Sequence, residues 1–231
     1  MIITVDGYDG TGKTTLAKNI AKGYGFLYVD KPIIRMYQSI YKCDYETAAE
    51  ILKNNEKKLY SEPKTPERAN KIVRFYTEPM LWLRDVVENN PNHLLGLMGE
   101  PLLAPGEKLN VVMDRGILTT YAVVGDDTTK ATFDEYIAKG AAMDGSVYLT
   151  ADDYERVRRI YERDPSDPDL KRDPIWRKND LLEYAESRGI SPITIIPTDG
   201  KNTDQVFDAA RQALDPIITS TPVSGDDGMG D

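Results

Sequence analysis

The sequence contains one cysteine and one histidine among its 231 residues. A lone Cys43 cannot form an internal disulfide, which fits a reducing cytoplasmic compartment. Zinc and iron–sulfur centres need several thiolate or imidazole ligands, which Cys43 and His93 cannot supply alone. The sequence therefore predicts a cytoplasmic protein with no metal site built on thiolates or a histidine cluster.

Long apolar runs and excess positive charge are also missing. No segment approaches the roughly 20 apolar residues that cross a bilayer, and the opening Ile2–Val5 is too short for a signal peptide. The formal net charge is -9, so a polyanion would be repelled, although a local cluster of cations could still hold a small phosphate. We therefore expect neither a membrane nor a nucleic acid polymer as partner.

Five short apolar runs, each bounded by turn residues, predict buried strands. They are Ile2–Val5, Phe26–Val29, Val111–Met113, Ser146–Leu149 and Ile193–Ile196. Helical stretches separate most of them, including a long one from about Glu67 to Glu88 that Pro79 should kink or split. This alternation predicts an α/β fold of three layers, with a five-stranded parallel sheet flanked by helices.

The chain divides by composition into one domain and a tail. The domain is predicted over residues 1–215, with a densely charged segment at about 151–174 that we interpret as a mobile lid. Residues 216–231 are rich in proline, serine, glycine and aspartate, which predicts a disordered acidic tail.

The segment from Gly7 to Thr14 matches the phosphate-binding pattern G-x-x-x-x-G-K-[ST], directly after a strand and at the start of a helix. Its glycines let successive backbone N–H groups point at phosphate oxygens, beside the positive end of the helix. Lys13 should reach the β- and γ-phosphates. The predicted ATP-binding residues are Gly7, Gly10, Thr11, Gly12, Lys13, Thr14 and Thr15.

The third strand ends in Asp114, as the acidic element on the magnesium side of P-loop proteins does. Together with the Thr14 hydroxyl, Asp114 is a candidate for holding Mg²⁺ or its water shell. Arg115 follows directly, and its planar fork suits bidentate binding of a phosphate.

The opening Val5-Asp6-Gly7-Tyr8-Asp9-Gly10-Thr11-Gly12-Lys13-Thr14-Thr15 is similar to the E-G-x-D-G-x-G-K-T-T of the thymidylate kinase family of nucleoside monophosphate kinases. Asp114-Arg115 resembles the D-R-[YH] motif of that family. The resemblance covers nearly the whole chain up to about Leu214, but is specific only at these two motifs. Gly116 departs from the family's Tyr or His, and Asp30-Lys31-Pro32 departs from its R-E-P.

The resemblance implies roles for further residues. Asp9 would contact the acceptor sugar and Arg115 the acceptor phosphate. Thr119 and Thr120 fall where the family often has serines, and Thr119 would join the acceptor-binding residues. Phe75, with Arg74 or Arg84, is the nearest counterpart of the pair that holds thymine. Lid arginines would close over the transferring group, namely Arg158 or Arg159, then Arg163 and Arg172. The resemblance also implies a homodimer.

These observations predict transfer of the ATP γ-phosphoryl group to a (deoxy)nucleoside monophosphate, with Lys13, Arg115, Arg163 and Arg172 as catalytic residues. One alternative is a deoxynucleoside kinase, in which a carboxylate such as Asp30 would act as base on a neutral hydroxyl. Another alternative, from a different class, is a regulatory ATPase that binds a nucleotide as a switch. The acceptor is in each enzymatic case a small nucleotide or nucleoside.

Overall fold

The computed structural model describes residues 1–167, 170, 178–190 and 193–219. All five predicted strands are present: β1 (Ile2–Gly7), β2 (Leu27–Val29), β3 (Val111–Asp114), β4 (Gly145–Thr150) and β5 (Ile193–Pro197). Every strand pairing is parallel, in the order β2-β3-β1-β4-β5. The predicted five-stranded parallel sheet is therefore confirmed.

Helices connect the strands and cover the sheet. Their bounds are α1 (Lys13–Tyr24), α2 (Pro32–Tyr41), α3 (Tyr45–Ser61), α4 (Pro66–Asn89), α5 (Pro91–Met98), α6 (Ile117–Val124), α7 (Lys130–Ala138), α8 (Asp153–Arg163), α9 (Lys178–Ser187) and α10 (Thr203–Thr219).

Alternation along the strands creates a separate core on each face of the sheet. Ile2 faces a cluster that includes Leu83 of α4 and Leu118 of α6. Its neighbour Ile3 faces the opposite cluster, which includes Leu16 of α1 and Leu214 of α10. The predicted arrangement of three layers is therefore confirmed.

The structure fixes two helix boundaries. Of the two effects expected of Pro79, a split of α4 is wrong, since the helix runs unbroken over 24 residues and buries Val73, Met80 and Leu83 on both sides of the proline in one core. The last helix continues to Thr219, beyond the expected start of the tail at 216, because Ile217 and Ile218 still pack on the second core. The rest of the predicted tail lies outside the described residues.

The register of the sheet brings the sequence motifs to one edge. Val5 of β1 lies beside Asp114 of β3, and Gly7 lies beside Leu149 of β4. The carboxyl ends of parallel strands meet at such an edge, where ligands bind in open α/β sheets. Within the described part of the chain, no helix is both long and apolar enough to cross a membrane.

A buried carboxylate fixes the chain at this edge. Asp6 is fully buried, and its Oδ1 accepts hydrogen bonds from the Gly116 N–H (2.7 Å), the Thr119 N–H (2.8 Å) and the Thr119 hydroxyl (2.7 Å). Its Oδ2 accepts from the Thr4 hydroxyl at 2.7 Å. Burial raises the pKa of Asp6, while the bonds from Thr119, Thr4 and Gly116 act against that shift. Asp6 thus ties β1 to the segment that follows β3.

The same carboxylate explains the departure at Gly116. A Cβ at this position would lie 2.8 Å from Asp6 Oδ2 and 2.8 Å from the methyl carbon of Thr4. Both distances are too short for a carbon atom, so a larger residue cannot occupy position 116 unless Asp6 moves. The glycine is therefore required by the packing of Asp6.

We expect Asp6→Ala to lower the free energy of unfolding by about 3 kcal/mol or more, because four buried donors lose their acceptor. Asp6→Asn should retain most of the stability, since an amide oxygen still accepts and the Thr4 hydroxyl can accept from the amide NH₂. Urea unfolding of both variants measures the difference. Asp127→Ala, which removes a carboxylate that is 92% exposed, is the control and should leave the unfolding midpoint unchanged. Equal stability of Asp6→Ala and the wild type would contradict this role.

Candidate active site

The P-loop connects β1 to α1 through three glycines with left-handed backbone angles. Gly7, Gly10 and Gly12 have φ values of 137°, 81° and 92°, which glycine adopts without the steric cost that a side chain brings. Gly7 and Gly10 are also crowded, because a Cβ would lie 2.5 Å from the Leu149 carbonyl oxygen and 2.8 Å from the Arg156 carbonyl oxygen, respectively. The loop thus folds as the sequence pattern predicts.

Lys13 lies buried at the centre of the loop, with 5% of its side chain exposed. Its Nζ donates to the Tyr8 carbonyl at 2.7 Å and lies 3.4 Å from Asp9 Oδ1. Burial lowers the pKa of Lys13, Asp9 opposes this shift and Arg115 adds to it. The ammonium group is therefore poorly solvated and positioned to gain from an added anion.

Thr14 and Asp114 meet beside the loop. The Thr14 hydroxyl donates a hydrogen bond to Asp114 Oδ2, while Asp114 Oδ1 is buried and has no hydrogen-bond partner in the described part of the chain. A hydroxyl and a carboxylate are the hard oxygen ligands that Mg²⁺ prefers, and phosphates and water usually supply the remaining ligands. This pair could therefore hold Mg²⁺ with a bound nucleotide.

Arg115 has the left-handed angle of φ 78°, which is uncommon for a residue with a side chain. Its N–H donates to the Val5 carbonyl at 3.0 Å, and its Nη2 donates to Asp9 Oδ1 at 2.7 Å. Asp9 Oδ1 thus contacts both Lys13 and Arg115, and more than half of the Arg115 side chain remains exposed. The strained turn directs this guanidinium to the mouth of the large cavity described next.

A cavity of about 1050 Å³ opens beside the P-loop. Asp9, Thr14, Asp114, Arg115 and Thr119 line one end. The other walls come from α2 to α4, and the residues that line them include Ile33, Arg35, Leu52, Lys53, Glu56, Lys57, Tyr60, Ile72, Tyr76, Pro79 and Met80.

The predicted base-binding pair does not line this cavity. Arg74 is exposed, and Phe75 packs edge-on against Tyr76 and beside a core cluster of α2 and α3. Tyr76 lines the wall instead, because the next residue of a helix lies about 100° further round its axis. Arg84, the other candidate, donates to the carbonyls of Gly140 and Ala142, away from the cavity.

Asp30 and Arg35 form a polar group in the cavity wall that sequence reasoning detected only in part. Asp30 Oδ2 accepts from the Tyr45 hydroxyl at 2.7 Å, while Asp30 Oδ1 and Arg35 Nε are buried without a hydrogen-bond partner in the described part of the chain. Burial, with Asp30 as the next cause, raises the pKa of Tyr45 to about 12, so its phenol stays protonated. No motif singled out Arg35 or Tyr45. Tyr45 reaches Asp30 because α3 packs on α2, whereas Arg35 lies only five residues after Asp30 in the chain and its Nη2 is 3.8 Å from Asp30 Oδ1.

A second cavity of about 360 Å³ lies on the other side of the P-loop. Thr11, Gly12 and Thr15 line it, together with Arg158 and Arg159 of α8. Arg159 Nη1 lies 3.3 Å from the Gly10 carbonyl and 3.0 Å from the Thr198 hydroxyl. The loop therefore separates two cavities, as a donor site and an acceptor site require.

The arginines of the predicted lid have different positions. Arg159 contacts the P-loop, whereas Arg163 is 60% exposed and pairs with Asp167 at 2.5 Å. Arg172 lies outside the described residues. Sequence reasoning missed Arg156, whose Nε donates to the Asp9 carbonyl at 2.9 Å. The spacing of three residues between Arg156 and Arg159 was the available signal, because it places both on one face of a helix.

No model of a known protein family matches the chain. Its sequence is similar to that of the cytidylate kinase of Fusobacterium nucleatum subsp. nucleatum, with 22% identity over 208 residues that cover 79% of this chain and 88% of that protein.

Solved structures with a similar fold include the thymidylate kinase from Ehrlichia chaffeensis, with a TM-score of 0.51 and 17% identity over 93% of this chain and 98% of that one. The deoxyadenosine kinase from M. mycoides, solved with bound dATP, matches with a TM-score of 0.48 and 17% identity over 93% of this chain and all of that one. At this identity the likeness to the thymidylate kinase concerns the fold alone, and it confirms the α/β P-loop kinase fold.

We expect Asp114→Asn to weaken the binding of ATP in the presence of Mg²⁺ about tenfold to a hundredfold, because a charged oxygen ligand is lost. Binding of ATP with excess EDTA should change little. Calorimetric titration of ATP under both conditions measures the two affinities. An equal loss of affinity with and without Mg²⁺ would assign Asp114 a structural role only.

Proposed function

We propose that this protein transfers the γ-phosphoryl group of ATP to a (deoxy)nucleoside monophosphate. The observation that carries the proposal is the position of Arg115, whose guanidinium lies at the mouth of the large cavity and contacts Asp9 of the P-loop. An acceptor in this cavity would bring its own phosphate to a cation beside the phosphate-binding loop.

The two cavities support separate donor and acceptor sites. ATP would bind with its triphosphate in the P-loop and its adenosine towards the smaller cavity, which Arg158, Arg159, Lys201 and Asn202 line. The acceptor would occupy the larger cavity, whose end at Thr14 and Asp114 is next to the predicted position of the γ-phosphate. In this arrangement the two phosphates approach each other from opposite sides of one loop.

The cations of the site would neutralise charge during the transfer. A monophosphate oxygen is already ionised at neutral pH, so this reaction needs no general base, and alignment with charge stabilisation suffices. Lys13 would hold the donor phosphates and Arg115 the acceptor phosphate. Mg²⁺ held by Thr14 and Asp114 would supply further positive charge at the donor phosphates. Arg163 and Arg172 would reach the transferring group after lid closure.

We assign no particular base to the nucleotide acceptor. The residues with which the sequence resemblance links thymine, Phe75 and Arg74, do not line the cavity. The similar sequence from Fusobacterium nucleatum is that of a cytidylate kinase, which supports a nucleotide kinase reaction for this chain. The thymidylate kinase from Ehrlichia chaffeensis is similar in fold alone and favours no base.

A second candidate is phosphorylation of a nucleoside hydroxyl, and the observation that favours it is Asp30. A neutral hydroxyl must lose its proton during the transfer, which requires a base within hydrogen-bonding distance. Asp30 lines the same cavity and keeps 33% of its side chain exposed, so its carboxylate could accept that proton. Tyr45 would orient the carboxylate through its bond to Oδ2.

A panel of acceptors separates these functions. ADP release from ATP is measured with each nucleoside and each nucleoside monophosphate, and we expect activity with at least one monophosphate. Activity with nucleosides alone would replace the first proposal by the second. The absence of transfer to any acceptor would favour the regulatory ATPase.

We expect Arg115→Ala to lower kcat for a monophosphate acceptor about a hundredfold to a thousandfold, because the acceptor phosphate loses a preorganised cation. ATP affinity should stay within about twofold, since Lys13 and the loop N–H groups still hold the donor phosphates. Arg115→Lys is the matched control and should recover only part of the rate, because an ammonium group lacks the bidentate fork. Equal losses of kcat and ATP affinity would contradict an acceptor role.

Asp30→Asn distinguishes the two candidate reactions. With a monophosphate acceptor we expect kcat to change less than tenfold, because no proton has to be removed. With a nucleoside acceptor the same substitution should lower kcat a hundredfold or more, since general-base catalysis typically contributes about that factor. Steady-state rates with nucleosides and with nucleoside monophosphates measure this difference. A hundredfold loss of kcat with a monophosphate would contradict the proposed transfer to a nucleoside monophosphate without a general base.

A further inference from the structure

Helix α8 packs Arg156 against the outer side of the P-loop. The side chain is 12% exposed, and its Nε donates to the Asp9 carbonyl at 2.9 Å. Its guanidinium lies over the Tyr8 ring, 4.9 Å from the ring centre, and Nη1 pairs with Asp153 at 2.9 Å. Arg156 thus connects the helix that begins the lid segment with two consecutive residues of the phosphate-binding loop.

The bond to Asp9 fixes the orientation of a peptide unit. In a trans peptide the C=O and the following N–H point in opposite directions. Holding the Asp9 carbonyl towards α8 therefore turns the Gly10 N–H away from α8. A P-loop binds phosphate through backbone N–H groups, so its carbonyls must find partners on the outer side. Arg156 supplies that partner for Asp9, and Arg159 supplies one for Gly10.

The side chain of the same residue, Asp9, holds the two principal cations of the site. Asp9 Oδ1 lies 2.7 Å from Arg115 Nη2 and 3.4 Å from Lys13 Nζ. A shift of the Asp9 main chain would move this carboxylate, and with it both cations. Arg156 lines neither cavity, so we expect it to affect phosphoryl transfer indirectly, through its contact with Asp9.

We propose that Arg156 is a positioning residue for phosphoryl transfer, which holds the P-loop in its phosphate-binding shape and sets Arg115 and Lys13 through Asp9. The effect on transfer rests on the function proposed above, whereas the effect on the loop does not. An arginine suits the position because one planar guanidinium can donate to the Asp9 carbonyl, lie over the Tyr8 ring and pair with Asp153 at the same time. A lysine offers no such fork.

The kinetic test compares Arg156→Ala and Arg156→Lys with a matched control, Arg188→Ala. Arg188 makes the same two kinds of contact, with the Tyr184 ring at 5.5 Å and with Asp134 at 2.6 Å, but it lines neither cavity. We expect both substitutions of Arg156 to lower kcat about tenfold or more. Arg188→Ala should leave kcat unchanged even where it lowers the melting temperature.

A double substitution tests the route through Asp9. If Arg156 acts partly by placing Arg115, its removal should cost less once Arg115 is already absent, because effects on one chain of contacts are not additive. We therefore expect the loss of kcat in Arg156→Ala with Arg115→Ala to be clearly smaller than the product of the two single losses. Fully multiplicative losses in kcat would overturn the proposed route.

Amide hydrogen exchange gives a readout that does not depend on activity. In Arg156→Ala the peptide that contains residues 7–15 should exchange at least several-fold faster than in the wild type and in Arg188→Ala. Unchanged exchange in this peptide, or unchanged kcat in an active enzyme, would overturn the proposal for Arg156 while leaving the function intact. If the wild type transferred phosphate to no acceptor, the proposed function would fail and the exchange measurement would still decide whether Arg156 holds the loop.

Discussion

The buried carboxylate of Asp6 is the constraint on which the site depends. Its two oxygens accept from groups in β1, in the turn after β3 and at the start of α6. These bonds hold the turn that contains Arg115 against the strand that leads into the P-loop. Because a Cβ at residue 116 would touch the Asp6 carboxylate, the chain needs glycine where the resembling family has Tyr or His. Gly116, which departs from the family motif, and the buried Asp6 therefore depend on each other.

Charge balance organises the space next to this constraint. Asp9 stands between Lys13 and Arg115, two cations that would otherwise repel each other beside the P-loop. Its main chain is held from the opposite side by Arg156 of α8. A bound nucleotide would add negative charge next to this arrangement and compete with Asp9 for both cations. Asp9 is thus the residue of the P-loop that both lines the larger cavity and contacts helix α8.

The larger cavity, which we propose as the acceptor site, contains the elements of two related reactions. Arg115 suits an acceptor that carries a phosphate, and Asp30 suits an acceptor whose hydroxyl must lose a proton. The contrast between the two reactions is chemical rather than architectural, since the same fold and the same donor site serve both. The identity of the acceptor therefore depends on a few side chains in the wall formed by α2 to α4.

The fold and the backbone turns of the P-loop could both be predicted from the sequence alone. The length and spacing of the apolar runs predict five buried strands, and the glycines of the P-loop predict its left-handed backbone turns. Both patterns lie in residues that are close together in the chain, so one sequence is enough to see them. Asp114 and Arg115 were also predictable, since the end of a parallel strand fixes where they lie.

The wall that α2 to α4 contribute to the larger cavity could be identified only from the packing of these helices. Whether Phe75 or Tyr76 lines the cavity depends on the rotation of α4 about its axis, which packing against distant strands sets. The contacts of Asp30 with Tyr45 and of Arg156 with Asp9 join separate elements and leave no local pattern. Such contacts between distant parts of the chain are invisible in one sequence because its periodicity reports which face is buried but not what that face touches.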